Sequence, residues 1–320
     1  MANNLIVSTS PHLHSGASTK KIMLDVLIAL APATVAAVVL FGLKALLLIA
    51  VTITAAVLSE FLFNVITKKQ QTVGDLSAIV TGLLLSLTLP STTELWQAVV
   101  GAIFAIVVVK CLFGGLGCNF ANPAIAARVM MLISFTNDVS GGTTTTLAEE
   151  PLVAGATPLQ LLGKADATLP SLTDMLIGNR GGAIGETCAV ALLVGFVYLL
   201  VKKVISWHTP IVFIGSTFVL SFLFGGFNLT NSIYHVLGGG LLIGAIFMAT
   251  DYVTSPITKW GKVIFAFGCA LFTVIIRVFG SLPEGVSYAI LLMNILATPI
   301  ELLTAPKALG AVKAKKGGNA

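Results

Sequence analysis

Gly114-Gly115-Leu116-Gly117-Cys118-Asn119-Phe120-Ala121-Asn122-Pro123-Ala124 separates an apolar run of full length, 95–113, from a short one, 122–135. Asn122 is placed to cap a helix that begins at Pro123. A short side-chain oxygen satisfies the free N–H groups of a first turn, and proline lacks the N–H that the turn could not use. Such a helix start points a positive dipole end into the protein, where anionic or carbonyl oxygens are favoured. Asn119 and Asn122 are the candidate residues to meet such a ligand, although a plain helix–helix turn has the same spacing. Asn122-Pro123-Ala124 also matches the water-channel tripeptide. Those channels need two copies, and the equivalent point in the second half reads Val286-Ser287-Tyr288.

Outward from this stretch, apolar runs fall at 22–41, 44–66, 76–89, 95–113, 122–135, 183–201, 210–225, 233–250, 262–279 and 285–304. With 320 residues, 56% hydrophobic, 10% charged and a mean hydropathy of +1.00, the chain cannot cover a water-facing surface. The reading is an all-α polytopic membrane protein of about ten transmembrane helices. The third and fifth runs are short of the roughly 20 residues a full span needs, and Gly238-Gly239-Gly240 breaks the eighth. The start, Met1 to Ser18, is too polar for a cleaved signal. Cys111, Cys118, Cys188 and Cys269 have no metal-ligand spacing, so no metal site is expected. Lysines are not interleaved with aromatics, which argues against nucleic acid as a partner.

Placing both termini on the cytoplasmic side puts 14 lysines and arginines inside and 4 outside. Lys110 and Arg128 are counted inside, and Lys44, Lys164, Arg180 and Arg277 outside. The expected organisation is a cytoplasmic segment 1–21, a five-helix repeat 22–135, an extracytoplasmic loop 136–182, a second five-helix repeat 183–304 and a basic cytoplasmic tail 305–320. The repeat rests on Thr81-Gly82-Leu83-Leu84-Leu85 against Gly239-Gly240-Leu241-Leu242-Ile243. The spacing agrees as well, 25 residues from Pro90 to Gly115 and 24 from Pro256 to Gly280. Because each half holds five spans, the repeats would be inverted in the membrane, and inverted repeats with broken helices put a ligand or ion path at their interface.

The 136–182 loop carries Gly155-Ala156-Thr157-Pro158, in which the Thr157 hydroxyl can be esterified by a phosphate. Gly141 to Thr146 reads as flexible, and Pro158 to Gly163 as an apolar helical turn. Met248-Ala249-Thr250-Asp251-Tyr252-Val253-Thr254-Ser255-Pro256 offers hard oxygen ligands for a small cation, though the same residues suit a turn before Pro256. Asp251, Thr250, Glu186 and Asp25 are the ion-path candidates, since ionisable groups at or in spans are costly. Asp25, Glu60, Asp75, Glu186, Arg277 and Glu301 all fall near expected span ends, where interfacial anchoring is an equal explanation.

Six segments in order resemble one known family. They are Gly114 to Ala124, Gly155 to Leu159, Ile184 to Thr187, Trp207 to Pro210, Phe247 to Pro256, and Pro283 to Ser287 followed by Leu291 to Asn294. The family includes RnfD, the D-type component of the Rnf ion-translocating ferredoxin:NAD oxidoreductase, and the related B-type component of the sodium-pumping NADH:quinone oxidoreductase. The similarity runs from about Ser10 to Pro306. The resemblance implies FMN joined through its phosphate to Thr157, with Gly155 and Ala156 in the attachment loop, and it leaves a second, non-covalent flavin open. It implies the other Rnf subunits (A, B, C, E and G), the lipid bilayer, and Na⁺ or H⁺ as partners, in a bacterial or archaeal cytoplasmic (inner) membrane. The family's pattern has an aspartate six residues before the threonine and a Ser or Thr three before. Here those positions are Pro151 and Ala154, with Glu150 as the nearby acid.

Two functions therefore follow. One is a membrane electron-transfer subunit of an ion-translocating oxidoreductase. The other is an inverted-repeat solute channel or transporter without a redox cofactor, which has no reason to carry the Thr157 loop.

Overall fold

Alanine-, leucine- and valine-rich runs with few charges leave the backbone no solvent to bond with, and they close their hydrogen bonds internally as helices. The computed structural model describes residues 18–143, 154–155, 157–162, 169–280 and 284–306. Helix α1 spans Thr19–Ile66, followed by α2, Ser77–Thr88, α3, Leu95–Cys111, and α4, Pro123–Ser134. Short helices α5 (Thr136–Val139), α6 (Pro158–Leu161) and α7 (Leu172–Ile177) lie in the long loop. The second half holds α8 (Ala189–Val201), α9 (His208–Phe224), α10 (Leu229–Leu237), α11 (Leu241–Met248), α12 (Lys259–Phe279) and α13 (Val286–Thr304). Among the described residues, strand is confined to a two-residue pair, β1 (Gly142–Thr143) and β2 (Ala154–Gly155).

The protein is a helical membrane protein. Three described helices, α1, α12 and α13, are long and apolar enough to cross a bilayer, and α10 with α11 makes a fourth, bent by 60°. The remaining apolar helices, α2, α3, α4, α8 and α9, are shorter. Gly42 divides α1 into two arms at the boundary between the first two apolar runs. Its φ of 68° and ψ of −153° suit glycine and would strain any residue with a Cβ. The outer faces of the long helices expose Val35, Val39, Leu43, Leu62 and Phe279, as a lipid-facing surface requires. Inside, α1 packs on α2, α3 and α8, α12 on α9 and α13, and α4 on α2 and α13.

Two expectations are corrected. The run 183–201 is not one helix, because α8 begins only at Ala189. Residues before it form a turn, with Ile184 N–H donating to Leu89 O at 3.0 Å and Gly185 N–H to Leu87 O at 2.8 Å. This coil satisfies carbonyls at the end of α2, so an apolar segment stays buried without being helical. Gly142 and Thr143 are not part of a loose tract either. They pair with Gly155 and Ala154, and Thr143 bridges to Gly182. Residues 144–146 lie outside the described residues.

Candidate functional site

Asn122 does cap α4. Its Oδ1 accepts from Ala124 N–H at 3.0 Å and Ile125 N–H at 3.4 Å, with Pro123 in the first turn. The first-turn donors are thereby spent inside the cap, and what Asn122 turns toward the neighbouring half is its amide, with Nδ2 donating to Met248 O at 3.3 Å. The Asn294 amide, in the orientation that satisfies both of its ends, accepts from Asn122 N–H at 3.1 Å and donates to Thr254 O at 3.2 Å. Three segments from both halves are thus tied at one point.

Beside that point lies a cavity with about 790 Å³ of empty space, its open mouth included. Its walls are mainly apolar, with Met23, Val26, Leu84, Leu199 and Phe247, and its polar groups include Asn119, Asn122, Thr81, Lys110, Thr250 and Asp251. Lys110 is delivered by a π-helical stretch, Phe104–Cys111, and Phe247 by a second, Gly244–Met248. Such stretches are uncommon and redirect side chains relative to an α-helix. Lys110 Nζ donates to both Glu60 oxygens at 2.9 Å and to Ser77 Oγ at 2.6 Å, and Glu60 Oε1 also accepts from Thr72 at 2.6 Å. Sequence reading placed Glu60 at an interface and missed this pair, whose members stand 50 residues apart.

Asp251 lies between α11 and α12. Burial raises its carboxyl above the usual range, while hydrogen bonds from Thr254 and the backbone of Val253 and Tyr252 pull it down. Thr250 Oγ1 donates to Ile246 O at 2.6 Å and Ser255 Oγ to Asp251 O at 2.6 Å. The segment is therefore a self-bonded turn that also faces the cavity. Asp25 is half-buried, accepts from Tyr198 at 2.9 Å, and does not line this cavity.

Glu186 is elsewhere. A second chamber, small at about 20 Å³, is lined by Thr88, Ile125, Arg128, Glu186, Gly240 and Glu284 among others. It lies where the α10–α11 break, the start of α13 and the middle of α4 meet. Arg128 Nη2 pairs with Glu284 Oε2 at 2.6 Å. Arg277 donates to the carbonyls of His235 (2.5 Å), Gly238 (3.1 Å) and Gly239 (2.9 Å), and Arg180 to those of Glu186 and Leu237 at 2.7 Å. Both guanidinium groups thus sit at the carbonyl end of α10, where a helix favours positive charge. These contacts remove Lys110 and Arg128 from the inside count of anchoring charges, and Arg180 and Arg277 from the outside count, so the bias of the remaining charges rests on fewer residues but is steeper.

Thr157 is 2% exposed, and its Oγ1 has no hydrogen-bond partner among the described atoms. It stands just before α6, where its N–H is held by Gln160 Oε1 at 2.9 Å. A Cβ added at Gly142 would come within 3.0 Å of Thr157 Cγ2, so the threonine packs against bare β1 backbone. Gly155 is in β2, paired with Gly142. Ala156 lies outside the described residues. The structure therefore gathers Asn119, Asn122, Thr250 and Asp251 at one cavity, and leaves Glu186, Thr157 and Asp25 in three other places.

A family model described as the NQR2, RnfD, RnfE family matches residues 6–310. The D component of the Na(+)-translocating ferredoxin:NAD(+) oxidoreductase complex of Acetobacterium woodii is 45% identical, over 99% of this chain and 99% of its own length. The D component of the proton-translocating ferredoxin:NAD(+) oxidoreductase complex of Clostridium ljungdahlii is 38% identical, over 96% of this chain and 97% of its own. The D component of an ion-translocating oxidoreductase complex from Stutzerimonas stutzeri is 34% identical, over 92% of each.

Proposed function

The chain belongs to the NQR2, RnfD, RnfE family, and from that premise we propose that it is the D-type membrane component of an ion-translocating ferredoxin:NAD oxidoreductase, carrying FMN on Thr157. The observation that carries the reading is end-to-end similarity to D-type components whose names state that activity. Within the chain, the attachment reading is supported by the buried Thr157 Oγ1 with no hydrogen-bond partner. That oxygen is not committed to a hydrogen bond among the described atoms, which leaves it available as the ester oxygen. When bound, the flavin supplies electron transfer that no side chain can perform. Thr157 then prevents its loss, and Gly155 and Ala156 shape the loop that presents it.

A second, non-covalent flavin is assigned to the cavity beside Asn119 and Asn122. Its support is a set of apolar walls suited to a ring system and amide groups suited to a polar ring edge. Asp251 and Thr250, at the same cavity, are assigned to the entry of the translocated ion. The architecture is taken to be ten spans in two inverted five-helix repeats, with both termini cytoplasmic and 136–182 outside. The complex would sit in the cytoplasmic membrane with the A, B, C, E and G components and move Na⁺ or H⁺. The test is illumination of the denatured polypeptide on a gel. A flavin band that survives denaturation is expected, and its absence from fully matured protein would favour a cofactor-free transporter.

A further inference from the structure

The chamber at Glu186 holds charges that the flavin-carrying role does not use. Glu186 is 5% exposed, and its Oε1 has no hydrogen-bond partner among the described atoms. Its Oε2 rests against the bare Cα of Gly240, where an added Cβ would stand 3.2 Å away. Gly240 has φ of 66°, so it is fixed as glycine by conformation as well as by space. Arg128 Nη1, Arg180 Nη1 and Arg277 Nε are buried without partners too. Of these, Arg128 and Glu186 line the pocket, and its one unpaired donor and one unpaired acceptor supply the two polar partners that a water needs at the least.

The charges facing Glu186 come from every side. They are Arg128 from α4, Arg180 from the loop after α7, Arg277 from α12 and Glu284 before α13, with His235 of α10 beside Arg277. Three guanidinium groups against two carboxylates leave the cluster positive before any ion enters. A metal cation there would need several oxygen ligands at once and would meet that positive charge in a medium of low dielectric. A proton meets the same positive charge but needs only the one free carboxylate oxygen, and burial of the carboxylate outweighs the guanidinium groups in favouring the acid form.

The loop side is packed closely against Glu186. A Cβ at Gly182 would touch Glu186 Oε1 at 2.8 Å, and a Cβ at Gly142 would touch both Gly182 N at 2.7 Å and Thr157 Cγ2 at 3.0 Å. Thr157, Gly142, Gly182 and Glu186 are thus packed in series, each close against the next.

We propose that Glu186 is a proton-exchanging group at the loop-side end of the ion path, which accepts H⁺ from chamber water as its carboxylate becomes a carboxylic acid, and does not bind Na⁺. This rests on the reading of the chain as part of an ion-translocating complex and separates Glu186 from Asp251 and Thr250.

The assay is thermal unfolding of the purified complex as a function of pH, in detergent, with and without NaCl replaced by choline chloride. A buried Glu186 that stays protonated in the fold makes stability fall as pH rises through its folded-state titration. The Glu186→Gln complex should lose that step, and the wild-type step should not move between sodium and choline. Persistence of the step in Glu186→Gln overturns the proposal, as does a sodium-dependent shift that Glu186→Gln abolishes. If Glu186→Gln does not assemble, Glu186→Asp decides. It must keep a step at a displaced pH, and an unchanged step refutes the assignment. Covalent flavin fluorescence read on the same samples separates failure of the Thr157 reading, which removes the flavin band, from failure of the Glu186 reading, which leaves it.

Discussion

Replacing Thr157 with valine keeps the shape of the side chain and deletes only the hydroxyl. In an ordinary helix N-cap the loss of that oxygen costs about 0.5–2 kcal/mol. Here Oγ1 faces the Gln160 N–H in a capping box but makes no hydrogen bond among the described atoms, and the α6 entry is held by Gln160 Oε1 on the Thr157 N–H at 2.9 Å, which valine retains. A buried polar group without a partner carries a cost on the order of 1–3 kcal/mol, which an apolar group of the same shape does not. Thr157→Val should therefore leave flavin-free protein as stable as wild type or up to about 1 kcal/mol more stable, while covalent flavin falls to zero. Thr157→Ser should keep the flavin. The assays are thermal unfolding of matched flavin-free preparations and in-gel fluorescence of matured ones. A loss above about 1 kcal/mol would show that the hydroxyl is a structural cap, and a fluorescent Thr157→Val band would refute the attachment.

Three further outcomes follow from the geometry. Lys110→Met leaves Glu60, 1% exposed, with an unpaired buried charge and should cost roughly 3–5 kcal/mol in denaturant unfolding, whereas Lys110→Met with Glu60→Leu should recover most of it; a single-variant loss below about 1 kcal/mol would contradict a buried pair. Gly115 has φ of +97° with nothing within 4 Å of an added Cβ, so Gly115→Leu should cost about 1–2 kcal/mol through backbone strain alone. A much larger loss would mean the loop is packed in the assembled protein. A cysteine at Thr145 should react with a membrane-impermeant thiol reagent from the outside of whole cells, and labelling only after the cytoplasmic side is opened would reverse the topology.

Much of the helix pattern is legible in the chain, because hydropathy and punctuation agree. The runs 76–89, 122–135, 262–279 and 285–304 fall within a few residues of α2, α4, α12 and α13. Asn122-Pro123 marks its helix start by chemistry that needs no tertiary context. The run 183–201 misleads because hydropathy reports burial and not conformation, and Ile184 and Gly185 are buried by bonding to carbonyls of α2. Gly115 answers to its φ of +97° and not to crowding, since nothing lies within 4 Å of an added Cβ. The Glu60–Lys110 and Arg128–Glu284 pairs were illegible for a different reason. Partners 50 and 156 residues apart leave no local pattern, and Glu60, Lys110 and Arg128 read only as charges near span ends. Gathering Asn119 and Asn122 with Thr250 and Asp251 required the fold, although the glycine breaks at matching places had pointed to a site between the halves.

The central claim is that a phosphoester to Thr157 holds the flavin of an ion-translocating oxidoreductase. The most direct measurement is peptide mass mapping of the chain isolated from its assembled complex. The account predicts a single peptide carrying FMN less one water, with fragmentation placing the addition on Thr157. An unmodified Thr157 peptide in fully matured protein, or a flavin on another residue, would contradict it.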